Sequence, residues 1–499
     1  MRFLRLILRT KGVRGFVVPA AMGLATLLSC PIALGATPVI PQIPGVPQDS
    51  ALAPQLANEY RRRFVLGRWN TEGERYRRYV RVPMPPGFRV EITPLDGPVF
   101  ANAKGMTLYN WRRSSLRNGS AGDNKGESEC SYTKTTVDAG IMSPYPYGLI
   151  EPDLKDRPSC AQAWPPVLAA ANAKPVGSWT IFTRKDGKRQ WAYDGYALYT
   201  SSLDQRPGEV IGTVFGSRRC GGDCPVERVP VGPPPDVPPG FNVKSTALGR
   251  LLVTNEHYSV YVSDRDSPGH SNCDAACTQT WTPITAPEFV DPHGAWSVIR
   301  RSDGEPQWAF RGMPLYLYAP DTHVYSLRGS DVPGWHNVYT QPAPPFPKGF
   351  TVQDTTAGQV LADSRGMTIY QYRCGDDSYD QLGCDYPSET QAFRLAMCGG
   401  GNALRCLRSF PYVLAPKRGH NGSCAAWCVI DIDPITGHFA KPGERGALRV
   451  WAYRGRPVYT YAGDERPGDI NADGHGEFRG NRDGYLAFWL RDDYYNKND

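Results

Sequence analysis

Three residue patterns in this chain are of types and spacings that could do chemistry. The run Asp469, Asn471, Asp473, Gly474 and Glu477 puts oxygen ligands at positions one, three and five of a loop with glycine at six, the spacing of a calcium loop. Its twelfth position is Gly480, where such loops want a bidentate Glu, so Glu477 at nine would have to substitute in part. No cofactor is expected of the chain; calcium is the one candidate, at this loop, and a turn rich in Gly and Asp is the preferred reading. Tryptophans recur in register, first Trp179, Trp296 and Trp427, then Trp191, Trp308 and Trp451. Exposed, the second set would offer sugars a stacking platform, whereas packed in a core they explain the strict register more simply. Ser131 and Lys134 form a Ser-x-x-Lys, but no Lys-Thr-Gly accompanies it. No Gly-x-Ser-x-Gly, phosphate loop or dinucleotide fingerprint occurs, so no catalytic residue is assigned.

Cysteine supplies the third pattern. Of 13 cysteines, Cys30 lies in an N-terminal export segment, which leaves an even number in an exported chain and so a disulfide framework. Cys273 and Cys277 are at i and i+4, about 6 Å apart on a helix, within reach of a disulfide. By aligned position Cys130 with Cys160 and Cys398 with Cys406 would be the same bridge with loop insertions. Proximity groups the rest as Cys220 with Cys224, Cys374 with Cys384 and Cys424 with Cys428, although connectivity does not follow from sequence. The rival, a metal or haem site, lacks Cys-x-x-Cys-His and has only scattered histidines.

The elements that must position these residues are short strands. Aliphatic residues are modest while 52 Gly, 46 Pro, 27 Tyr and 12 Trp favour strands and turns over long helices. The expected class is mainly all-β, in three tandem small antiparallel modules, each with one short helix and disulfide staples. Pro86-Gly87-Phe88, Pro239-Gly240-Phe241 and Lys348-Gly349-Phe350 open three segments, and the proline run 230–239 cannot hold a helix or central strand. The resulting division is 83–229, 230–340 and 341–499, the last with a C-terminal extension. Each module begins with an expected hairpin: Val99–Asn102 with Met106–Trp111, Leu251–Thr254 with Tyr258–Ser263, and Val360–Asp363 with Met367–Tyr372. The second has Glu256-His257 instead of a turn glycine, so its turn is expected to differ. A cysteine precedes an aromatic by four residues in every module, before a proline that would stop one or two helical turns. A meander follows, with Asp186-Gly187, Asp194-Gly195, Asp303-Gly304, Arg311-Gly312 and Arg454-Gly455 as two-residue turns.

Met106-Thr107-Leu108-Tyr109-Asn110-Trp111, Gln190-Trp191-Ala192-Tyr193-Asp194-Gly195 and Tyr316-x-Tyr318-x-x-Asp321 resemble the secreted and lipoprotein repeat family with the motif Tyr-x-(Phe/Trp/Tyr)-x-x-Asp. The resemblance covers about residues 87 to 470 and implies export, often as a lipoprotein, with no known activity. Its motif is expected twice per module. Tyr316, Tyr318, Asp321 and Tyr459, Tyr461, Asp464 are whole; Tyr199/Asp204 and Tyr261/Asp266 have serine at the aromatic position; Tyr109 has Ser114 where the acid should be; Tyr370 is followed by Gly375, then Asp376. Copies this uneven read as a strand-and-turn device, with aromatics packing a core and the acid accepting backbone N–H bonds.

Residues 1–35 carry Arg2, Arg5, Arg9, Lys11 and Arg14, then the apolar run 16–28, as a signal peptide does. Leu27-Leu28-Ser29-Cys30 resembles a lipobox that would acylate Cys30, while Ala33-Leu34-Gly35 suits ordinary cleavage before Ala36; both stay open. Residues 36–82 read as a proline-rich tether and an arginine-rich arm. Losing the five basic residues reduces the formal charge from +7 to +2, which implies no nucleic-acid partner. The membrane enters only through an N-terminal lipid anchor. Three functions follow in order of preference: a non-catalytic periplasmic, outer-membrane or extracellular repeat protein that binds or scaffolds an envelope glycan or protein; an enzyme on envelope polymers; and a metal- or redox-handling periplasmic protein.

Overall fold

Each module is built around a hairpin whose turn is closed by a threonine. A computed structural model of the chain describes residues 83–112, 122–132, 159–212, 229–288, 290, 292, 294–373, 394, 398–400, 402–417, 423–475 and 484–492, all within one compact unit, Arg62–Asp499. The hairpins are Phe88–Thr93 with Gly97–Asn102, Phe241–Thr246 with Gly249–Thr254, and Thr351–Thr355 with Gly358–Ala362, all antiparallel. Thr93, Thr246 and Thr355 each donate Oγ1 to the carbonyl of the glycine that starts the return strand, at 2.9, 2.8 and 3.0 Å. These glycines have φ of +70°, +134° and +134°, which a side chain would resist.

The expected opening pairs are thereby corrected. The return strand pairs along its whole length with a strand upstream of it, and only a short bridge continues past the next turn, Ala101 to Thr107, Val253 to Ser259 and Ala362 to Thr368. Beyond that bridge the chain leaves for a second sheet, where Tyr109 meets Tyr199, Tyr261 meets Tyr316 and Tyr370 meets Tyr459. The second module's turn also departs from expectation, because it is the same turn. His257 takes φ +69° where Gly105 and Gly366 take +81° and +82°. His257 N–H bonds Thr254 O as Gly105 bonds Asn102 and Gly366 bonds Asp363.

The meanders form three-stranded antiparallel sheets in the first two modules, Trp179–Thr183, Arg189–Tyr193, Tyr196–Ala197 and Trp296–Arg300, Pro306–Phe310, Met313–Pro314. In the third, Trp427–Ile432, Leu448–Tyr453 and Arg456–Tyr459 continue into Tyr370–Arg373 and Gly484–Ala487 as one five-stranded sheet. The tight turns place Asp194, Arg311 and Arg454 at φ +50°, +51° and +49°, each followed by a left-handed glycine, as two-residue hairpins with right-handed strand twist demand. The helix expected after the cysteine is Cys160–Ala163 in the first module and Ala403–Ser409 in the third, but a single 3₁₀ turn, Cys277–Gln279, in the second.

Every module closes on itself. Val229–Pro230 pairs with Tyr109–Asn110, and Val231 O accepts from Phe100; Tyr339–Pro342 pairs with Gly249–Thr254; Trp489–Asp492 pairs with Gly358–Ala362. Two main cores result per module, and the second module adds a small cluster of Leu251, Val253 and Leu327. One packs the meander tryptophans against the opening hairpin; the other gathers motif tyrosines around a disulfide.

The first hairpin's tip joins the modules. Leu95 is buried in the third module's tryptophan core, beside Leu248 of the second. Arg454 Nη1 and Nη2 donate to the two carboxylate oxygens of Asp96 at 2.7 and 3.2 Å, Arg250 donates to Asp96 O, and Gln341 Nε2 donates to Thr93 O at 2.8 Å. Glu209 completes the joint, since its Oε1 accepts from Ser423 Oγ and Cys424 N–H at 3.1 and 2.9 Å.

Candidate functional site

The tyrosine and acid of the repeated motif meet across copies. In the second module Tyr261 donates to Asp321 Oδ2 at 2.7 Å and Tyr316 donates to Asp266 Oδ2 at 2.7 Å. Each acid thus serves the tyrosine of the other copy. The remaining oxygen faces its own turn: Asp266 Oδ1 accepts Asn272 N–H and Asp321 Oδ1 accepts the Ser326 hydroxyl, at 2.7 and 2.6 Å. A buried carboxylate needs such donors, and here they come from inside the module.

The first module has the same brace. Tyr109 donates to Asp204 at 2.8 Å and Tyr199 to Asp123 at 2.6 Å. The copy read as lacking its acid therefore has one, Asp123, reached after the stretch 113–121 and holding Glu129 N–H with its other oxygen at 2.8 Å. In the third module Tyr370 donates to Asp464 at 2.7 Å, while Asp376 lies outside the described residues. Tyr459 packs instead on Tyr412, and the Arg394 guanidinium lies 5.5 Å from its ring centre.

Burial raises three of the acids and three of the phenols. It pushes Asp204 up to about 8 against the hydrogen bonds from Tyr109 and Ile211, and moves Asp321 and Asp464 upward too. Tyr261, Tyr316 and Tyr370 are raised by burial, and the carboxylates they face add to it. The phenols stay neutral donors, which suits a brace.

A second polar cluster, unseen in the sequence, supports the brace. Arg301 donates to Ser271 Oγ, Gln307 Oε1 and Cys273 O at 3.1, 3.2 and 2.8 Å, and Ser271 in turn bonds Tyr316 at 2.7 Å. Arg184, Ser128, Gln190 and Cys130 O repeat it around Tyr199. The third module has buried Ile432 and Val450 on the matching strands, so an apolar pair replaces the cluster there. The available signal was Arg-x-Asp-Gly followed by Gln-Trp, present in the first two modules only.

Four expected disulfides are formed, Cys130–Cys160, Cys273–Cys277, Cys398–Cys406 and Cys424–Cys428, with Cα separations of 5.2, 5.2, 4.7 and 4.9 Å. Cys30, Cys220, Cys224, Cys374 and Cys384 lie outside the described residues.

The candidate calcium residues are turn residues where they are described. Asp469 Oδ2 accepts Glu465 and Arg466 N–H, both at 2.9 Å; Asp473 accepts Ala487 N–H at 2.8 Å and Trp489 Nε1–H at 3.3 Å; Asn471 Nδ2 donates to Gly463 O at 3.1 Å. Glu209 does in the first module what Asp469 does here, accepting Gln205 and Arg206 N–H after the same Arg-Pro-Gly. Among the described residues no three His, Cys, Asp or Glu are placed to hold a metal ion, and Glu477 is not among them.

Trp191, Trp308 and Trp451 are 5%, 3% and 8% exposed. Phe88, Phe241 and Phe350 pack on them at 5.5 to 6.2 Å between ring centres, so their faces are not the open platforms that sugar stacking requires. Trp191 does border a groove of about 830 Å³ on the first module. Pro85, Phe88, Val167, Leu168 and Val176 line it, with Lys104 from one wall segment and Lys174 from another. Arg189 stiffens the second wall by donating to Ala170, Ala171 and Ala173 carbonyls at 2.7, 2.5 and 3.1 Å.

Compared with known proteins, the chain matches the family model described as a secreted repeat of unknown function at residues 180–222, 297–333 and 448–483. No curated protein matches the chain, and no solved structure does. The three matched stretches contain Tyr199 and Asp204, Tyr316 and Asp321, and Tyr459 and Asp464, the second motif copy of each module. Three tandem stretches of the chain, one in each module, match this secreted-repeat model.

Proposed function

We propose that the chain is a non-catalytic repeat protein of the cell envelope, in which three interlocked modules form the scaffold and the first module's groove receives an envelope component. One observation carries the reading: both carboxylate oxygens of Asp204, Asp266 and Asp464 are engaged by internal donors, while the groove beside Trp191 stays open and ligand-sized. Residues with catalytic potential are consumed in holding the modules; concave apolar surface is left over. The N-terminal segment would deliver the protein, through lipid on Cys30 or cleavage before Ala36.

A photo-crosslinking residue at Leu168, on the groove wall, tests this against one at Ile435, exposed on the third module. In intact cells the reading expects an envelope component attached through position 168 and not through 435. No adduct at 168, or equal adducts at both, overturns it.

A further inference from the structure

We infer that the groove on the first module binds a single-chain anionic amphiphile, an alkyl chain ending in a carboxylate or phosphate. The inference rests on the groove being the ligand site and adds its chemistry. Pro85, Phe88, Val167 and Trp191 make an apolar bed, and Leu168 stands 47% exposed on the wall. Keeping a leucine open to water costs free energy that an alkyl chain laid against it recovers.

The charges select the head. Lys104 and Lys174 come from two separate wall segments of the groove, and among the described residues no Asp or Glu lines it. Neither ammonium has a carboxylate partner among the described residues. Two cations with no anion between them leave a positive field that an anionic head neutralises, and an ammonium, being a point charge, accepts carboxylate or phosphate alike. Both walls are preformed: Asn102 Oδ1 holds the Lys104 turn through Lys104 and Met106 N–H at 2.9 and 3.1 Å, and Arg189 holds the other. Little ordering cost then falls on binding.

The shape selects a single chain. At about 830 Å³ the groove is the size that takes small molecules. It is concave, so it suits a molecule withdrawn from a bilayer, whereas a bilayer surface is met by a convex basic face. A sugar would want an open aromatic face, and Trp191 is only 5% exposed.

Calorimetric titration of the full chain tests this with decanoate, decyl phosphate, decanol, acetate, inorganic phosphate and anionic phospholipid vesicles. Saturable one-to-one binding of decanoate or decyl phosphate is expected, the tighter of the two naming the head, with decanol about tenfold weaker and acetate and phosphate silent. Lys104→Ala with Lys174→Ala should weaken binding about tenfold, and Leu168→Glu should abolish it, while Lys188→Ala, outside the groove, leaves it unchanged. Equal binding of decanol, indifference to the lysine pair, or binding to vesicles alone overturns the inference. If the position-168 adduct persists after such a result, the groove is a site for another chemistry; if both are lost, the ligand-site reading falls as well.

Discussion

Arg454 of the third module grips Asp96 of the first with both terminal nitrogens, at 2.7 and 3.2 Å, and Arg454 is only 2% exposed. Paired guanidinium and carboxylate in a site this dry depend on each other: either one alone is a stranded charge. Arg454→Ala should therefore cost about 3 kcal/mol, and the double variant with Asp96→Ala less than the two single costs together. Urea unfolding measures both. Additive costs would show that the pair does not couple the modules.

The tyrosine–aspartate brace makes a second prediction. Tyr261→Phe removes one donor from Asp321 but leaves the Ser326 hydroxyl on its other oxygen, so a loss of about 1 to 2 kcal/mol is expected. Tyr261→Phe combined with Ser326→Ala strips both donors from a carboxylate that is buried, and the loss should exceed the sum of the single losses. Simple additivity in thermal unfolding would mean that water satisfies Asp321 and that the brace adds little.

What could be read from sequence, and what could not, divides along range. Turns such as Asp194-Gly195 and Arg454-Gly455 carry their own conformational demand in two residues, and the disulfide at Cys273 and Cys277 needs one helical turn, so both were legible. The brace was not, because Tyr109 and Asp204 are 95 residues apart and partner choice is made by sheet closure. Asp123 was missed for the same reason: the motif spacing is local, whereas the contact asks only that a carboxylate arrive near Tyr199. Phe88–Thr93 alternates apolar and polar residues strictly, so the strand itself is legible; that it is an edge strand with Val90 and Ile92 exposed is not. The groove joins five separated stretches, and no local pattern announces it.

The disulfides should rank by the loop they close. Cys130 and Cys160 are separated by 30 residues and Cys273 and Cys277 by 4. On loop entropy alone, replacing the first pair with serine should cost about 4 kcal/mol and the second about 2. Thermal denaturation of the two double-serine variants checks the order. A reversed order would mean that Cys273–Cys277 acts on the native state, for instance by holding Cys273 O in place for Arg301.

Asp204 gives the stability of the chain a dependence on pH. Burial lifts its carboxyl up to about 8, partly opposed by Tyr109 and Ile211 and reinforced by the charge of Glu209, whereas in an unfolded chain it titrates near its ordinary value, about 4. Between those limits the native state keeps a proton that the unfolded state has released. Its contribution is thus complete below about pH 4 and is lost as pH rises through about 8. Asp204→Asn keeps the shape and an oxygen for Ile211 N–H, and has no proton to lose. The melting temperature of the unaltered protein should therefore fall more steeply from pH 5 to 9 than that of the Asn variant, with the difference concentrated in this window. Parallel curves would mean that Asp204 is already ionised in the fold at neutral pH, held so by Tyr109 and Ile211, and that the brace is a charged one.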